Sequence, residues 1–202
     1  MKGKIILVCV VLFAVSGCAA FRSPLMNASA TGDMDTAHKL IKSGADINEV
    51  DRSGFTPLMM AIYSNKPEAA KSFIQMGADI ERRDKSGCTP LMYAASTNQL
   101  DVVKILIEKG SSVNAKDLSG DGPLSLAVYN DNPSMVRLLI NKGADVNVKN
   151  SSGMTPLHYA ATHLYPDKSD NVISVLLENG ADISAIDNYG QTPLKGSVRS
   201  FV

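Results

Sequence analysis

The sequence predicts an all-α fold: a solenoid of short, paired antiparallel helices joined by projecting loops. Two observations carry that reading. The stretch Gly54-Phe55-Thr56-Pro57-Leu58 returns as Gly87-Cys88-Thr89-Pro90-Leu91, Gly120-Asp121-Gly122-Pro123-Leu124, Gly153-Met154-Thr155-Pro156-Leu157 and Gly190-Gln191-Thr192-Pro193-Leu194, at intervals of 33, 33, 33 and 37 residues. One interval before Thr56, Ser23-Pro24-Leu25 keeps the motif with Ser in place of Thr. A second register runs in step with the first, at Gly44-Ala45-Asp46-Ile47-Asn48, Gly77-Ala78-Asp79-Ile80, Gly110-Ser111-Ser112-Val113-Asn114, Gly143-Ala144-Asp145-Val146-Asn147 and Gly180-Ala181-Asp182-Ile183. A fixed period of this size marks stacked repeats, in which each unit buries its apolar face against its neighbours instead of in one central core.

Each unit reads as a short helix, a second helix and a loop. In the third, Thr89 caps a helix that opens on Pro90, where a missing N–H costs nothing and the fixed φ is already helical. The second helix, Asp101 to Lys109, turns Val102, Val103, Ile105, Leu106 and Ile107 mainly toward its neighbours, and Gly110 ends it in a left-handed conformation. Pro67 and Pro133 mark the start of the second helix in their own units. Between the two helices stand Gly32, Asn65, Asn98 and Asp131, residue types that tolerate positive φ. The fifth unit breaks this rule with Leu164 and enlarges the turn by four residues within Tyr165-Pro166-Asp167-Lys168-Ser169. That insertion reads either as a partner contact on a surface loop or as neutral drift. The sixth unit stops after its first helix, Thr192 to about Val202, with Lys195, Ser197 and Arg199 giving a terminal cap its wet outer face.

With Thr155-Pro156-Leu157-His158-Tyr159-Ala160 as its fullest copy of the motif, the chain resembles the ankyrin repeats, from about Ser23 to the C-terminus. The resemblance implies projecting β-hairpin loops and a role in binding protein, through the hairpin tips and the exposed side of the first helices. Carried over residue by residue, it makes Arg52, Phe55, Tyr63, Arg83, Lys85, Lys116, Tyr129, Lys149, Met154 and Tyr189 the partner-binding candidates. Arg52, Arg83, Lys85, Lys116 and Lys149 form a basic row opposed by Asp121. Together with the aromatic residues this has the composition of an interface hot spot and points to an acidic protein partner steered electrostatically. The alternative is that tip charges only keep the loops soluble. The residues that change between copies, Phe55, Cys88, Asp121, Met154 and Gln191, are where specificity is sought.

Ahead of the repeats, Lys2 and Lys4 precede an apolar run, Ile5 to Val15, that is too short to span a bilayer and has the layout of a signal peptide covering residues 1–17. Val15-Ser16-Gly17-Cys18 resembles a bacterial lipobox, which implies cleavage before Cys18 and a diacylglycerol on its thiol. A plain signal peptide cut after an Ala-type site, releasing a soluble periplasmic protein, is the other reading; the short run disfavours a transmembrane anchor. Acyl chains contribute about 0.8 kcal/mol per buried methylene and would hold the chain on a membrane. Ala19 after the cysteine, by resemblance to enterobacterial lipoproteins, implies the outer membrane, facing the periplasm. Residues 18–22 then form a lipidated cysteine and short tether. The four residues between Cys18 and Ser23 reach no more than roughly 14 Å, so the repeat domain, 23–202, would sit close to the lipid.

The chain carries 20 basic and 20 acidic residues; loss of Lys2 and Lys4 leaves 18 against 20. That balance argues against a nucleic-acid binder. Removal of Cys9 and lipidation of Cys18 would leave Cys88 as the last cysteine, so no intramolecular disulfide is expected in the mature form. His38, His158 and His163 do not match a metal motif, and His158 sits where the family uses it within the turn network. Asp46, Asp79, Asp145 and Asp182 read as loop-fixing acceptors. With no nucleophile–base pair and no phosphate-cradling loop, neither an enzyme nor a cofactor nor a metal is expected. The expected function is that of a monomeric, membrane-anchored binding module that sequesters or inhibits a protein partner. Bacterial ankyrin lipoproteins that this chain resembles include immunity proteins against lipase-type effectors. A scaffold or stress-protective partner of a periplasmic enzyme, or an envelope structural protein, are the alternatives.

Overall fold

The structure, a computed structural model, describes residues 22–162 and 172–193. The expected signal peptide and lipidated Cys18, the enlarged turn with His163 and Leu164, and the cap residues from Leu194 onward lie outside the described residues. The chain divides into two compact units, residues 1–112 and 113–202.

In the first unit the helices come in pairs: α1 (Pro24–Thr31) with α2 (Met34–Lys42), α3 (Pro57–Tyr63) with α4 (Pro67–Gln75), and α5 (Pro90–Ser96) with α6 (Leu100–Glu108). First helices stack on first helices, α1 on α3 and α3 on α5, while α4 packs on α6. The second unit holds α7 (Pro123–Tyr129) with α8 (Pro133–Asn141) and α9 (Pro156–Thr162) with α10 (Val172–Glu178), stacked α7 on α9 and α8 on α10.

The first helices α3, α5, α7 and α9 are buried nearly all round, whereas α1 leaves Pro24, Asn27 and Thr31 exposed. Leu58, Met59, Met60 and Ile62 in α3, and Leu91, Met92 and Tyr93 in α5, are each at most 2% exposed. The second helices bury one stripe, such as Val102, Val103 and Leu106 in α6 or Met135, Val136 and Leu139 in α8, which is the amphipathic pattern of a helix with one wet face. Full burial of such a side chain contributes on the order of 1.5–3 kcal/mol.

The starts and stops follow the sequence. Ser23, Thr56 and Thr89 accept the amides of Met26, Met59 and Met92 at 3.0, 3.2 and 3.4 Å, and Pro follows each cap. Gly122 takes the cap position of α7 without a side-chain bond. A Cβ there would meet the Ala115 carbonyl oxygen at 2.9 Å, so the close approach of that backbone excludes Thr. Between paired helices, Gly32, Asn65, Asn98 and Asp131 all adopt positive φ, at 80°, 53°, 59° and 49°.

The expected projecting β-hairpins are not there: the described residues contain no β-strand. Each loop tip is instead a tight turn tied by a side-chain oxygen, that of Asp51, Asp84, Asp117 or Asp187 and, in one tip, of Asn150. Asp51 N donates to Phe55 O and Gly54 N to Asp51 O, both at 3.0 Å, while Asp51 Oδ1 accepts the amides of Ser53 and Phe55 at 2.8 and 2.9 Å. The carboxylate takes donors that a second strand would have used, and a ladder never propagates. Neighbouring tips are joined by single backbone bonds, Lys85 N to Ser53 O and Ser151 N to Ser119 O, each 2.9 Å. The approach is so close that a Cβ on Gly54 would lie 3.0 Å from Lys85 N, which, with a φ of +85°, restricts the position to glycine. The all-α stacking of paired helices stands; the hairpins do not.

Asn side chains lace the second motif from one unit to the next. Asn48 Oδ1 accepts Asp79 N at 2.8 Å. Asn114 accepts Asp145 N and donates to Gly143 O, both at 2.9 Å, and Asn147 accepts Asp182 N at 2.8 Å and donates to Gly180 O at 3.0 Å. Where Glu81 stands in this column, it accepts Ser112 N at 3.0 Å. The repeated aspartates fix their own loops as the sequence implies: Asp46, Asp79, Asp145 and Asp182 accept the amide two residues on at 2.8–2.9 Å.

Candidate protein-binding face

The loop tips sort their charges by direction. In three of them the scaffold carboxylate turns inward onto backbone N–H groups: Asp51 as above, Asp84 onto Ser86 and Cys88 at 2.9 and 2.8 Å, Asp117 onto Ser119 and Asp121 at 2.8 and 2.9 Å. The basic residues point outward. Arg52, Arg83 and Lys85 in the first unit, and Lys116 and Lys149 in the second, are all exposed. Arg83, Lys116 and Lys149 make backbone bonds as well. Arg83 donates from its guanidinium to Gly87 O at 2.9 Å, Lys116 Nζ to Lys149 O at 2.9 Å, and Lys149 Nζ to Ile186 O at 3.0 Å. The two lysines therefore staple successive loops while keeping their stems in solvent.

The apolar candidates divide. Tyr189 is 77% exposed, and Met154 and Tyr129 are half-buried. Phe55 is 3% exposed and belongs to the interior: its ring packs on Tyr93 at 4.8 Å and meets Tyr63 edge-on at 5.9 Å, with Tyr63 and Tyr93 a further edge-on pair at 6.3 Å. Phe55 offers no surface to a partner, and Tyr63 is half-committed to the same cluster. Tyr93 anchors it by donating to Asp84 Oδ2 at 2.6 Å, and burial, followed by that carboxylate, pushes the phenol's pKa up.

The column expected to carry specificity shows the same pattern. Phe55, Cys88 and Asp121 are 3%, 0% and 1% exposed, whereas Met154 and Gln191 are half-buried. Its variation serves packing in the first three copies.

The sequence reading missed a polar cluster in the second unit. Tyr159 Oη donates to the Asp121 carboxylate, 3.0 Å from each oxygen. Asn150 Nδ2 donates to Tyr159 Oη at 2.5 Å and lies 3.4 and 3.5 Å from the two Asp121 oxygens. Burial pushes the Asp121 carboxyl up to about 6, with the Asp117 charge adding to the shift and the bonds from Tyr159, Asn150 and Ser125 opposing it. The signal was present in the columns. Asn150 stands where the other units have Asp51, Asp84, Asp117 and Asp187, and Asp121 stands where the second unit of the sequence has Phe55.

His158 serves the turn network: Nδ1 accepts Thr155 N at 3.1 Å, and Nε2 lies 3.1 Å from Gln191 O, to which it must donate. His38 is exposed on α2. Among the described residues, no group of three or more His, Cys, Asp or Glu could hold a metal, and no helix is long and apolar enough to cross a membrane. Residues 25–117 and 110–187 match a family model described as ankyrin repeats, three copies. No curated protein matches the chain.

Proposed function

The chain belongs to the ankyrin-repeat family, a family of non-catalytic protein–protein interaction modules, and from that premise we propose that this one is held on a bacterial membrane through a lipid on Cys18 and sequesters or inhibits a protein partner. The observation that carries the reading is the sorting of charge at the tips. Arg52, Arg83, Lys85, Lys116 and Lys149 are exposed while the neighbouring Asp51, Asp84 and Asp117 are drawn inward onto backbone amides. A partner approaching the loops of either unit meets cations first, so an acidic protein surface is favoured and encounter is accelerated.

The membrane placement rests on Val15-Ser16-Gly17-Cys18 and on the four-residue tether to Ser23. A binding module that close to lipid suits inhibition of an enzyme that attacks lipids. The sharpest form of the proposal is therefore an immunity protein against a lipase-type effector, facing the periplasm from the outer membrane. Three experiments test it in layers. Cys18→Ser should release the protein from the membrane fraction. The triple variant Arg52→Glu, Arg83→Glu, Lys116→Glu should lose the partner while keeping its melting temperature; unchanged capture overturns the acidic-partner reading. A toxin encoded beside this gene should kill cells that lack the protein and spare cells that have it, and the absence of both refutes the immunity role.

A further inference from the structure

The Asp121 cluster is not used by any step of the binding function. Its surroundings are specific. On its own turn it faces the Asp117 carboxylate, 2.9 Å from whose Oδ1 lies the Asp121 amide nitrogen. From α7 it faces the Ser125 hydroxyl. From the next loop comes the Asn150 amide, 3.4–3.5 Å from its oxygens, and from α9 the Tyr159 hydroxyl at 3.0 Å. His158, also on α9, is engaged elsewhere, with Nδ1 on Thr155 and Nε2 on Gln191 O. The donors aimed at Asp121 are thus neutral, the charge beside it is negative, and the carboxyl is 1% exposed. The amide of Asn150 supplies a donor where an Asp, the residue of the other units, would have supplied a second carboxylate.

We propose that Asp121, Asn150 and Tyr159 form a proton-operated clasp within residues 113–193, in which a proton on Asp121 tightens the loop 117–121 onto the loop 150–153 and α9, and its loss loosens them. The neutral acid keeps a carbonyl oxygen to accept the Tyr159 hydroxyl while removing both the burial of a charge and the repulsion from Asp117. The direction follows from linkage. The carboxyl titrates near 6 when folded against an ordinary 3.8, so the folded state binds the proton more tightly. The stabilisation is complete below the unfolded value and is lost as pH rises through the folded one.

The test uses the full chain, comparing wild type with Asp121→Asn by amide hydrogen exchange over residues 117–126 and 150–162 and by urea denaturation. Between about pH 4 and about pH 7.5 the opening constant of the wild type should rise about fifty-fold relative to that of the variant, with the change centred near pH 6. Parallel pH profiles for the two proteins would overturn the clasp. If Asp121→Asn does not fold, Asn150→Asp decides: a second carboxylate beside Asp121 should move the wild-type transition to higher pH, and a transition left in place overturns the proposal equally.

Discussion

Phe55 is the position at which a surface role and an interior role make opposite predictions. Its ring is 3% exposed and touches two tyrosine rings, at 4.8 Å to Tyr93 and 5.9 Å to Tyr63. Phe55→Ala removes the ring and leaves a cavity that the neighbouring Gly54 turn, pinned against Lys85 N, cannot close. A buried Phe→Ala change costs about 3–5 kcal/mol, of which each aromatic pair accounts for roughly 0.5–1.5 kcal/mol. Because Phe55 lies at a loop base with helices on one side, about 3 kcal/mol is expected. Urea denaturation of the full chain, followed by far-ultraviolet circular dichroism, measures it as a lower midpoint. The control is Leu118→Ala at a tip, where the side chain is 77% exposed and the change should stay within about 0.5 kcal/mol. A Phe55→Ala loss below about 1 kcal/mol, or one no larger than that of Leu118→Ala, would refute the interior placement.

Three further changes follow from single contacts. Tyr93→Phe strips the donor that meets Asp84 Oδ2 at 2.6 Å and should cost about 1.5–3 kcal/mol, the range for a bond to a charged group; a neutral result in the same denaturation assay would count against it. Ser111 is 6% exposed and its hydroxyl finds no hydrogen-bond partner among the described residues, while the matching positions hold Ala45, Ala78, Ala144 and Ala181. Ser111→Ala should therefore raise stability by about 1 kcal/mol, read as a higher melting temperature. Asn147→Ala removes an acceptor for Asp182 N and a donor to Gly180 O. It should cost about 1–2 kcal/mol and speed amide exchange at Asp182; unchanged protection of that amide in the variant would show that the Asn147 side chain is not what shields it.

The features that repeat were the ones legible in the sequence. Pro at the first helical position, Thr or Ser before it, and Asn65, Asn98 and Asp131 at positive φ are backbone requirements. A backbone requirement restricts residue type wherever it recurs. What went unread depends on side chains meeting across units. Phe55 looked like a tip residue because its neighbours Arg52 and Ser53 are tip residues, and only the stacking of Tyr63 and Tyr93 beside it shows that the chain has already turned inward. The strands implied by the resemblance were absent for a similar reason. The carboxylates of Asp51, Asp84 and Asp117 satisfy the tip amides locally, and the sequence pattern alone does not say whether an amide will find a side chain or a strand. The Asp121, Asn150 and Tyr159 cluster is visible only when two exceptions, in different columns, are placed in contact.

One column of the loops turns to solvent even where its backbone joins the neighbouring tip, as at Lys85 and Ser151. Arg52, Lys85, Leu118, Ser151 and Asn188 follow directly after the inward-turned Asp or Asn, and all five are exposed. The residue before each is locked by its hydrogen bonds, and the glycine two residues after is locked by the backbone of the next loop where one passes, as at Gly54, Gly120 and Gly153. The fold thus separates a fixed grammar from a vocabulary. Substitution at Arg52, Lys85, Leu118 or Ser151 redraws the face that the loops present while the turns beneath it stay tied.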